Sequence, residues 1–202
     1  MAVRVAINGF GRIGRLVMRA IIESKRTDLE VVAINDLGPV EASAHLLKYD
    51  SVHGTLPANV SVSGDTIDVG QGPIPVSAER HPGDLPWKEI GVDVVMECTG
   101  FFNDREAAAS HIEAGAGKVL ISAPAPGADL TVVYGGNHHL LAKDHQVVSN
   151  ASCTTNCLAP VAQVLNECVG IDKGFMTTIH SYTGDQRLLD TLHSDPRRAR
   201  SA

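Results

Sequence analysis

A cysteine at position 153 stands where its thiol could act as a nucleophile. It lies in the run SNASCTTNC (residues 149–157), between an apolar, strand-like segment and an apolar segment with helical spacing. Ser152 is a favourable N-cap, because its hydroxyl can accept a hydrogen bond from an amide of the first helical turn. Cys153 then opens the helix, where the dipole favours the thiolate, the form in which cysteine attacks. The run by itself fits a nucleophile and a small buried cysteine beside a helix cap equally well.

A histidine at position 180 is the second candidate for chemistry. It follows an alternating run at residues 175–179 that predicts a strand. A histidine beside a cysteine can hold the thiolate as an ion pair and then act as a base or an acid. Because such partners are neighbours in space rather than in sequence, a histidine without a catalytic role stays the alternative.

Three glycines near the N-terminus follow the spacing of a dinucleotide-binding turn. Gly9, Gly11 and Gly14 form the pattern G-x-G-x-x-G. In such a turn the first glycine permits a tight bend, the second lets the backbone approach a pyrophosphate, and the third lets the helix pack on the strand. The helix N-terminus supplies amides and a positive dipole end for the phosphates. Other glycine-rich turns can imitate this spacing, so its context decides.

That context is a strand, a helix and a second strand that ends in an acid. The pattern predicts strands at residues 3–7 and 30–34, with a helix between them that reaches about residue 23. Asp36 follows the second strand, about 20 residues after the last glycine, where an acid can bond the adenosine ribose hydroxyls and repel a 2′-phosphate. A purely structural aspartate would explain Asp36 but not the whole set. The sequence therefore predicts a site for NAD rather than NADP.

Strands and helices alternate along the chain to about residue 122. This alternation predicts an α/β fold with a doubly wound, mostly parallel Rossmann sheet. The remaining predicted strands lie at residues 60–62, 66–69, 74–76, 92–96, 118–121, 130–134 and 146–148, and the remaining helices at 41–48 and 105–113.

The composition narrows the class of protein. The 202 residues are 44% hydrophobic and 20% charged, as in an ordinary globular protein. The net charge of −6 argues against nucleic acid or an anionic membrane as a partner. No apolar run reaches the length of a membrane span, and the first residues do not form a signal peptide. The four cysteines form no secreted disulfide pattern, so we expect a cytoplasmic location.

Three motifs together resemble a known enzyme family. AINGFGRIGR (residues 6–15), ASCTTNC (151–157) and HSYT (180–183) strongly resemble phosphorylating glyceraldehyde-3-phosphate dehydrogenases, and the resemblance runs along the whole chain. It implies an NAD-binding Rossmann domain at residues 1–150 and the beginning of an α+β catalytic domain at 151–202. Family members are longer, so the resemblance also implies an N-terminal part that lacks some of the substrate site and is inactive alone.

The resemblance also implies roles for individual residues. Cys153 would attack the aldehyde to form a thiohemiacetal and then a thioester, and His180 would activate the thiol and take the proton. Residues that would contact NAD besides the glycines are Arg12, Ile13, Asp36, Arg80 and Ser122. Residues that would contact glyceraldehyde 3-phosphate or inorganic phosphate are Ser152, Thr154, Thr183 and Arg200. The full-length protein would be a homotetramer and would need no metal.

Three alternatives stay open. Erythrose-4-phosphate dehydrogenase shares the cysteine motif, but its relatives usually carry Ala-Met where this chain has Tyr182-Thr183, and glutamate where it has Asp36. A non-catalytic NAD-binding module is the alternative from another class. A thiol redox sensor would use Cys153 and Cys157, which lie one helical turn apart.

Overall fold

A computed structural model describes residues 1–184 and 186–201. Its strands are β1 (Val3–Asn8), β2 (Leu29–Asn35), β3 (Tyr49–Asp50), β4 (Gly54–Thr55), β5 (Ser61–Ser63), β6 (Thr66–Asp68), β7 (Pro73–Ser77), β8 (Val94–Glu97), β9 (Lys118–Ile121), β10 (Leu130–Thr131) and β11 (Val147–Ser149). Its helices are α1 (Arg12–Glu23), α2 (Val40–Lys48), α3 (Trp87–Ile90), α4 (Arg105–Glu113) and α5 (Cys153–Val169). Short 3-10 helices lie at Pro82–Asp84, His138–Leu140 and Pro196–Arg198.

The large sheet has nine strands in the order β10-β11-β9-β8-β1-β2-β7-β6-β5. Every pairing from β10 to β7 is parallel, and β6 pairs antiparallel with β5 and β7. Strands β3 and β4 form a separate antiparallel pair. This arrangement confirms the predicted α/β fold. The chain builds outward from β1 to β2 and β7, then returns to the other side of β1 with β8. The topological switch point therefore lies between β1 and β8, where ligands of such sheets bind.

The central strand β1 is covered on both faces. Ile7 packs with Phe10 and Met18 in one buried cluster, whereas its neighbour Ala6 packs with Trp87 and Val95 in another. Adjacent residues of a strand point to opposite faces, so β1 contributes to both layers of the core. This two-sided burial accounts for the continuous apolar sequence of the strand.

The predicted strand at residues 130–134 is shorter in the structure. It ends at Thr131, because the Asn137 side chain accepts a hydrogen bond from the Val133 amide at 2.8 Å and donates one to the Thr131 carbonyl at 2.9 Å. These bonds turn the chain away from the sheet. Asparagine side chains typically compete in this way with the backbone hydrogen bonds between strands.

The prediction of a strand at residues 175–179 is wrong. These residues have no regular secondary structure, and Phe175, Met176 and Ile179 are exposed. A strand needs a neighbour to bond its backbone groups, and in the part of the chain that the structure describes none pairs with this segment. Alternation alone could not supply that partner.

The chain forms two compact units, which divide between Val164 and Leu165. The sequence places the domain boundary after residue 150, and that domain division stays a prediction. Among the described residues, no helix combines the length and apolar character needed to cross a membrane.

Candidate dinucleotide and cysteine sites

A cavity of about 570 Å³ lies at the carboxyl ends of the central strands, beside the switch point. Its volume is in the range of ordinary small-molecule sites. The lining residues, named together here as the dinucleotide cavity, are Gly9, Gly11, Asn35, Asp36, Leu37, Glu79, Arg80, His81, Cys98, Thr99, Phe101 and Phe102.

The three glycines of the turn have different surroundings. Gly9 has a positive φ of 88°, and a Cβ there would lie 2.6 Å from the Thr99 amide nitrogen. A Cβ on Gly14 would overlap the Gly9 carbonyl oxygen and lie 2.9 Å from Cγ2 of Ile7. At Gly11, by contrast, no described residue other than its chain neighbours places an atom within 4 Å of the Cβ position. Gly9 and Gly14 are therefore required by packing, whereas Gly11 leaves open space at the cavity.

The N-terminus of α1 adjoins this open space. Gly11 is the N-cap residue, no side chain caps the helix, and the first turn contains no acidic residue. The first turn of α1 therefore contributes no carboxylate of its own that would compete for its amides, which suits a pyrophosphate. The residues present fit a dinucleotide at this position.

Asp36 is held in place by the backbone. Its Oδ2 accepts a hydrogen bond from the Phe10 amide at 2.7 Å, and its Oδ1 accepts one from the Gly38 amide at 2.9 Å. Each carboxylate oxygen has a further lone pair, so Asp36 can still accept hydrogen bonds from ribose hydroxyls. Arg80 lines the same cavity. The structure therefore brings together Gly9, Gly11, Asp36 and Arg80, four of the predicted cofactor residues.

Other predicted cofactor residues lie outside the cavity lining. Ile13 is half exposed on the first turn of α1. Arg12 forms an ion pair with Asp50, with Nη1 and Oδ2 2.8 Å apart. Hydrogen bonds from the His53 and Val52 amides, together with Arg12, hold the pKa of Asp50 well below its ordinary value. The predicted contacts of Arg12 and Ile13 with NAD stay predictions.

Ser122 follows β9, and its side chain forms a hydrogen bond with the thiol of Cys98, a residue that lines the cavity. Burial raises the pKa of the Cys98 thiol to about 11. Cys98 is therefore protonated at neutral pH and is a poor nucleophile. Cys153, by contrast, is exposed to solvent.

Several lining residues were not predicted as site residues. Glu79, His81, Thr99, Phe101 and Phe102 line the cavity. Thr99 and Gly100 are small residues at the carboxyl end of β8, and in a parallel sheet that placement is a sequence signal for a cofactor approach. Phe101 is 86% exposed. That exposure and its position at the cavity come from the tertiary structure, so the sequence did not identify this residue.

The segment between β11 and α5 positions Cys153. Ala151 has a φ of 59°, in the left-handed region that residues other than glycine rarely adopt. Its amide donates to Oγ of Ser149 at 3.1 Å. Oγ of Ser152 accepts a hydrogen bond from the Thr155 amide at 3.0 Å, which confirms the predicted N-cap. Cys153 is the first residue of α5 and is exposed.

Asn156 holds this turn together, a role that was not predicted from the sequence. Its Nδ2 donates to the carbonyl oxygens of Asn150 at 2.7 Å and Ser152 at 3.0 Å. The first turn of α5 is thereby tied to the residues on either side of Ala151. Its position within the SNASCTTNC run was the available signal.

The remaining predicted substrate residues belong to the second unit. His180 is exposed, and its Nδ1 donates to the Ser181 carbonyl at 2.6 Å. The Thr183 amide donates to Oε1 of Gln186 at 2.8 Å, and Arg200 pairs with Asp190 at 2.8 Å. Ser152, Cys153 and Thr154 lie in the first unit. Because the two groups belong to different units, the pairing of Cys153 with His180 stays a prediction.

The parallel sheet, the glycine turn and the acid after β2 define a Rossmann-type dinucleotide-binding protein. Residues 3–105 match the family model described as glyceraldehyde 3-phosphate dehydrogenase, NAD binding domain, and residues 152–202 match the C-terminal domain of the same family. The chain therefore belongs to the glyceraldehyde-3-phosphate dehydrogenase family, and its cofactor is NAD.

Similar proteins cover the whole of this chain. Glyceraldehyde-3-phosphate dehydrogenases from Xanthobacter flavus and Cereibacter sphaeroides are 70% and 66% identical to it over 202 residues. The enzyme from Geobacillus stearothermophilus is 61% identical over 203 residues. In each case the match covers 100% of this chain and 60% of the relative. The chain thus spans about 60% of the length of the curated relatives that it matches.

Proposed function

We propose that the protein containing this chain is an NAD-dependent, phosphorylating glyceraldehyde-3-phosphate dehydrogenase. It oxidises glyceraldehyde 3-phosphate in the presence of inorganic phosphate and forms 1,3-bisphosphoglycerate. The observation that carries the proposal is the exposed Cys153 at the start of a capped helix, in a chain that also builds the dinucleotide cavity. A thiolate suits an aldehyde electrophile, and a nicotinamide suits the removal of hydride.

Cys153 is the nucleophile of the proposed reaction. Its thiolate adds to the aldehyde carbon and forms a thiohemiacetal, while the carbonyl oxygen becomes an oxyanion and then a hydroxyl. The N-terminal amides of α5 and the positive end of its dipole stabilise that developing charge. The Ser152 cap and the Asn156 amide hold the turn that presents the thiol.

His180 is the proposed base. It takes the thiol proton, returns it to the oxyanion to form the thiohemiacetal hydroxyl, and takes it again as the hydride leaves, so that the thiohemiacetal carbon becomes that of a thioester. NAD, when bound, supplies the acceptor for the hydride. Inorganic phosphate attacks the thioester carbon, and the Cys153 thiolate leaves. Ser152, Thr154, Thr183 and Arg200 are the proposed contacts for the phosphates.

The cofactor preference follows from Asp36. Its carboxylate lines the cavity and is fixed by two backbone amides, so it cannot easily turn away from a ligand. A 2′-phosphate beside it would suffer like-charge repulsion, whereas ribose hydroxyls would donate to it. Arg12, Ile13 and Ser122 are proposed to make the remaining contacts. We further propose a homotetrameric full-length protein in the cytoplasm.

The decisive test adds the part of a relative that this chain does not match. Residues 1–202 are expressed in fusion with the part of the Xanthobacter flavus relative that follows the match. The absorbance of the reduced nicotinamide is then followed with NAD, inorganic phosphate and either glyceraldehyde 3-phosphate or erythrose 4-phosphate. We expect turnover with glyceraldehyde 3-phosphate, none with Cys153→Ser, and a loss of about 10²- to 10⁴-fold with His180→Asn. Cys157→Ser is the matched control and should retain activity.

The alternatives predict different results in the same assay. A clear preference for erythrose 4-phosphate would favour the related dehydrogenase. Full activity of the Cys153→Ser fusion would exclude covalent catalysis by this thiol and favour a redox role for Cys153 and Cys157. Residues 1–202 alone should bind NAD without turnover, and turnover by that chain would contradict the proposed need for the part that only the fusion supplies.

A further inference from the structure

A buried row of polar side chains crosses the sheet beneath the dinucleotide cavity. Asn35, Asn8 and Glu97 are register partners on β2, β1 and β8, and their exposed fractions are 4%, 1% and 1%. Nδ2 of Asn35 donates to Oδ1 of Asn8 at 2.7 Å, and Nδ2 of Asn8 donates to Oε2 of Glu97 at 2.6 Å. The proposed reaction does not use Glu97.

The Glu97 carboxyl accepts hydrogen bonds from Asn8, Thr99 and His111. Oε2 accepts from Asn8 and from Nε2 of His111 at 3.0 Å, and Oε1 accepts from the amide and hydroxyl of Thr99 at 2.8 Å and 2.5 Å. The indole of Trp87 donates to Nδ1 of His111 at 2.9 Å. Because an indole N–H can only donate, His111 carries its proton on Nε2 and donates it to Glu97.

This carboxylate connects the segments that form the cavity floor. Glu97 fixes Thr99, whose amide nitrogen lies against the bend at Gly9, and both residues line the cavity. The Cys98 amide donates to the Asn8 carbonyl at 2.7 Å, which also joins the segment after β8 to the end of β1. At the far end of the row, Oδ1 of Asn35 accepts from the amide of Glu79, another lining residue, at 2.8 Å.

We infer that Glu97 is a positioning residue for NAD. Through Thr99 and Asn8 it holds the glycine turn and the segment after β8 at the separation that the dinucleotide requires. Glu97 is not among the residues that line the cavity, so it acts through those that do. Burial of a carboxylate is unfavourable unless both oxygens accept hydrogen bonds. Of the four bonds to Glu97, two come from Thr99, one from Asn8 and one from His111. The inference rests on the NAD-binding role of this domain.

The test compares two buried substitutions in the 202-residue chain, with the NAD dissociation constant measured by calorimetry. Glu97→Gln keeps the size of the side chain but places an amide NH₂ against a donor, which releases either Thr99 or Asn8. We expect NAD binding to weaken about tenfold. Trp87→Phe removes the indole bond at the far side of His111 and leaves Glu97 bonded, so the dissociation constant should change less than about twofold.

Urea denaturation of each variant separates positioning from stability. Both substitutions should lower the free energy of unfolding, but only Glu97→Gln should weaken NAD binding by the folded protein. Equal dissociation constants for Glu97→Gln and the wild type would overturn the inference, and so would equal weakening by Trp87→Phe. If Glu97→Gln does not fold, His111→Leu replaces it, because it removes one donor from Glu97. It should weaken binding about threefold, and unchanged binding would overturn the inference.

The outcome also distinguishes this inference from the proposed function. A wild-type chain that binds no NAD would overturn the cofactor role and the inference together. Binding by the wild type, with no selective effect of Glu97→Gln, would overturn the positioning role alone.

Discussion

At the scale of single residues, identical residues of one motif have different roles. The G-x-G-x-x-G spacing predicted one cofactor turn, but it could not distinguish its members. The structure separates Gly14, which is packed against the Gly9 carbonyl and Ile7, from Gly11, which faces open space. Stability and cofactor binding should therefore respond differently to the same substitution at these two positions.

Alanine at the two glycines provides a matched pair. Gly14→Ala should lower the free energy of unfolding by about 2 to 3 kcal/mol, because its Cβ overlaps backbone that cannot move freely. Gly11→Ala should cost about 1 kcal/mol or less, since its methyl group meets no atom of the protein. It should nevertheless weaken NAD binding about tenfold by occupying space at the cavity. Urea denaturation and calorimetry measure the two effects, and wild-type affinity in Gly11→Ala would contradict this assignment.

At the scale of elements, Asp129 joins α4 to the edge of the parallel sheet. Its Oδ2 accepts from the amides of Gln146 and Val147 at 2.8 Å and 2.9 Å, and its Oδ1 accepts from Nε of Arg105 at 2.8 Å. The Val147 amide and Arg105 are the main causes that lower the pKa of Asp129 to about 2. The charged form is therefore favoured by the folded state.

This shift predicts a pH dependence of stability. Because the pKa of Asp129 is about 2 in the folded protein against 3.8 ordinarily, its contribution is complete above about pH 4 and is lost as the pH falls towards 2. Asp129→Asn should be less stable than the wild type at pH 7, and the difference should shrink below pH 4. Urea denaturation across this range measures it, with exposed Asp144→Asn as the control. A constant difference at every pH would show that the charge is not responsible.

Elements were predictable where the local pattern and the tertiary partner agreed. The helix at residues 105–113 and the strand at 118–121 have the predicted bounds, since Asp104 caps the helix and the strand has a parallel neighbour on each side. The alternating residues 175–179 lack such neighbours among the described strands, and they form none. Periodicity therefore identifies a segment that could be a strand, and pairing decides whether it is one.

At the scale of the whole molecule, the dinucleotide cavity belongs entirely to the first unit. NAD should therefore stabilise that unit by mass action, by about 2.7 kcal/mol at a concentration one hundred times the dissociation constant. Amide hydrogen exchange should show added protection in β1, β2 and β8. The amides of residues 175–179, which pair with none of the described strands, should exchange rapidly with or without NAD. Protection of residues 175–179 by NAD would contradict this expectation.

The sequence by itself determined the α/β class, the glycine turn, the acid after β2 and the helix that begins at Cys153. Each of these depends on contacts within a few residues or on a repeated spacing, which a linear pattern records. Only the tertiary structure decided which side chains meet: that Gly9 contacts Thr99, and that Asn8 joins Asn35 to Glu97. These partners are distant in sequence and become neighbours through strand register, which is set by the packing of the whole sheet.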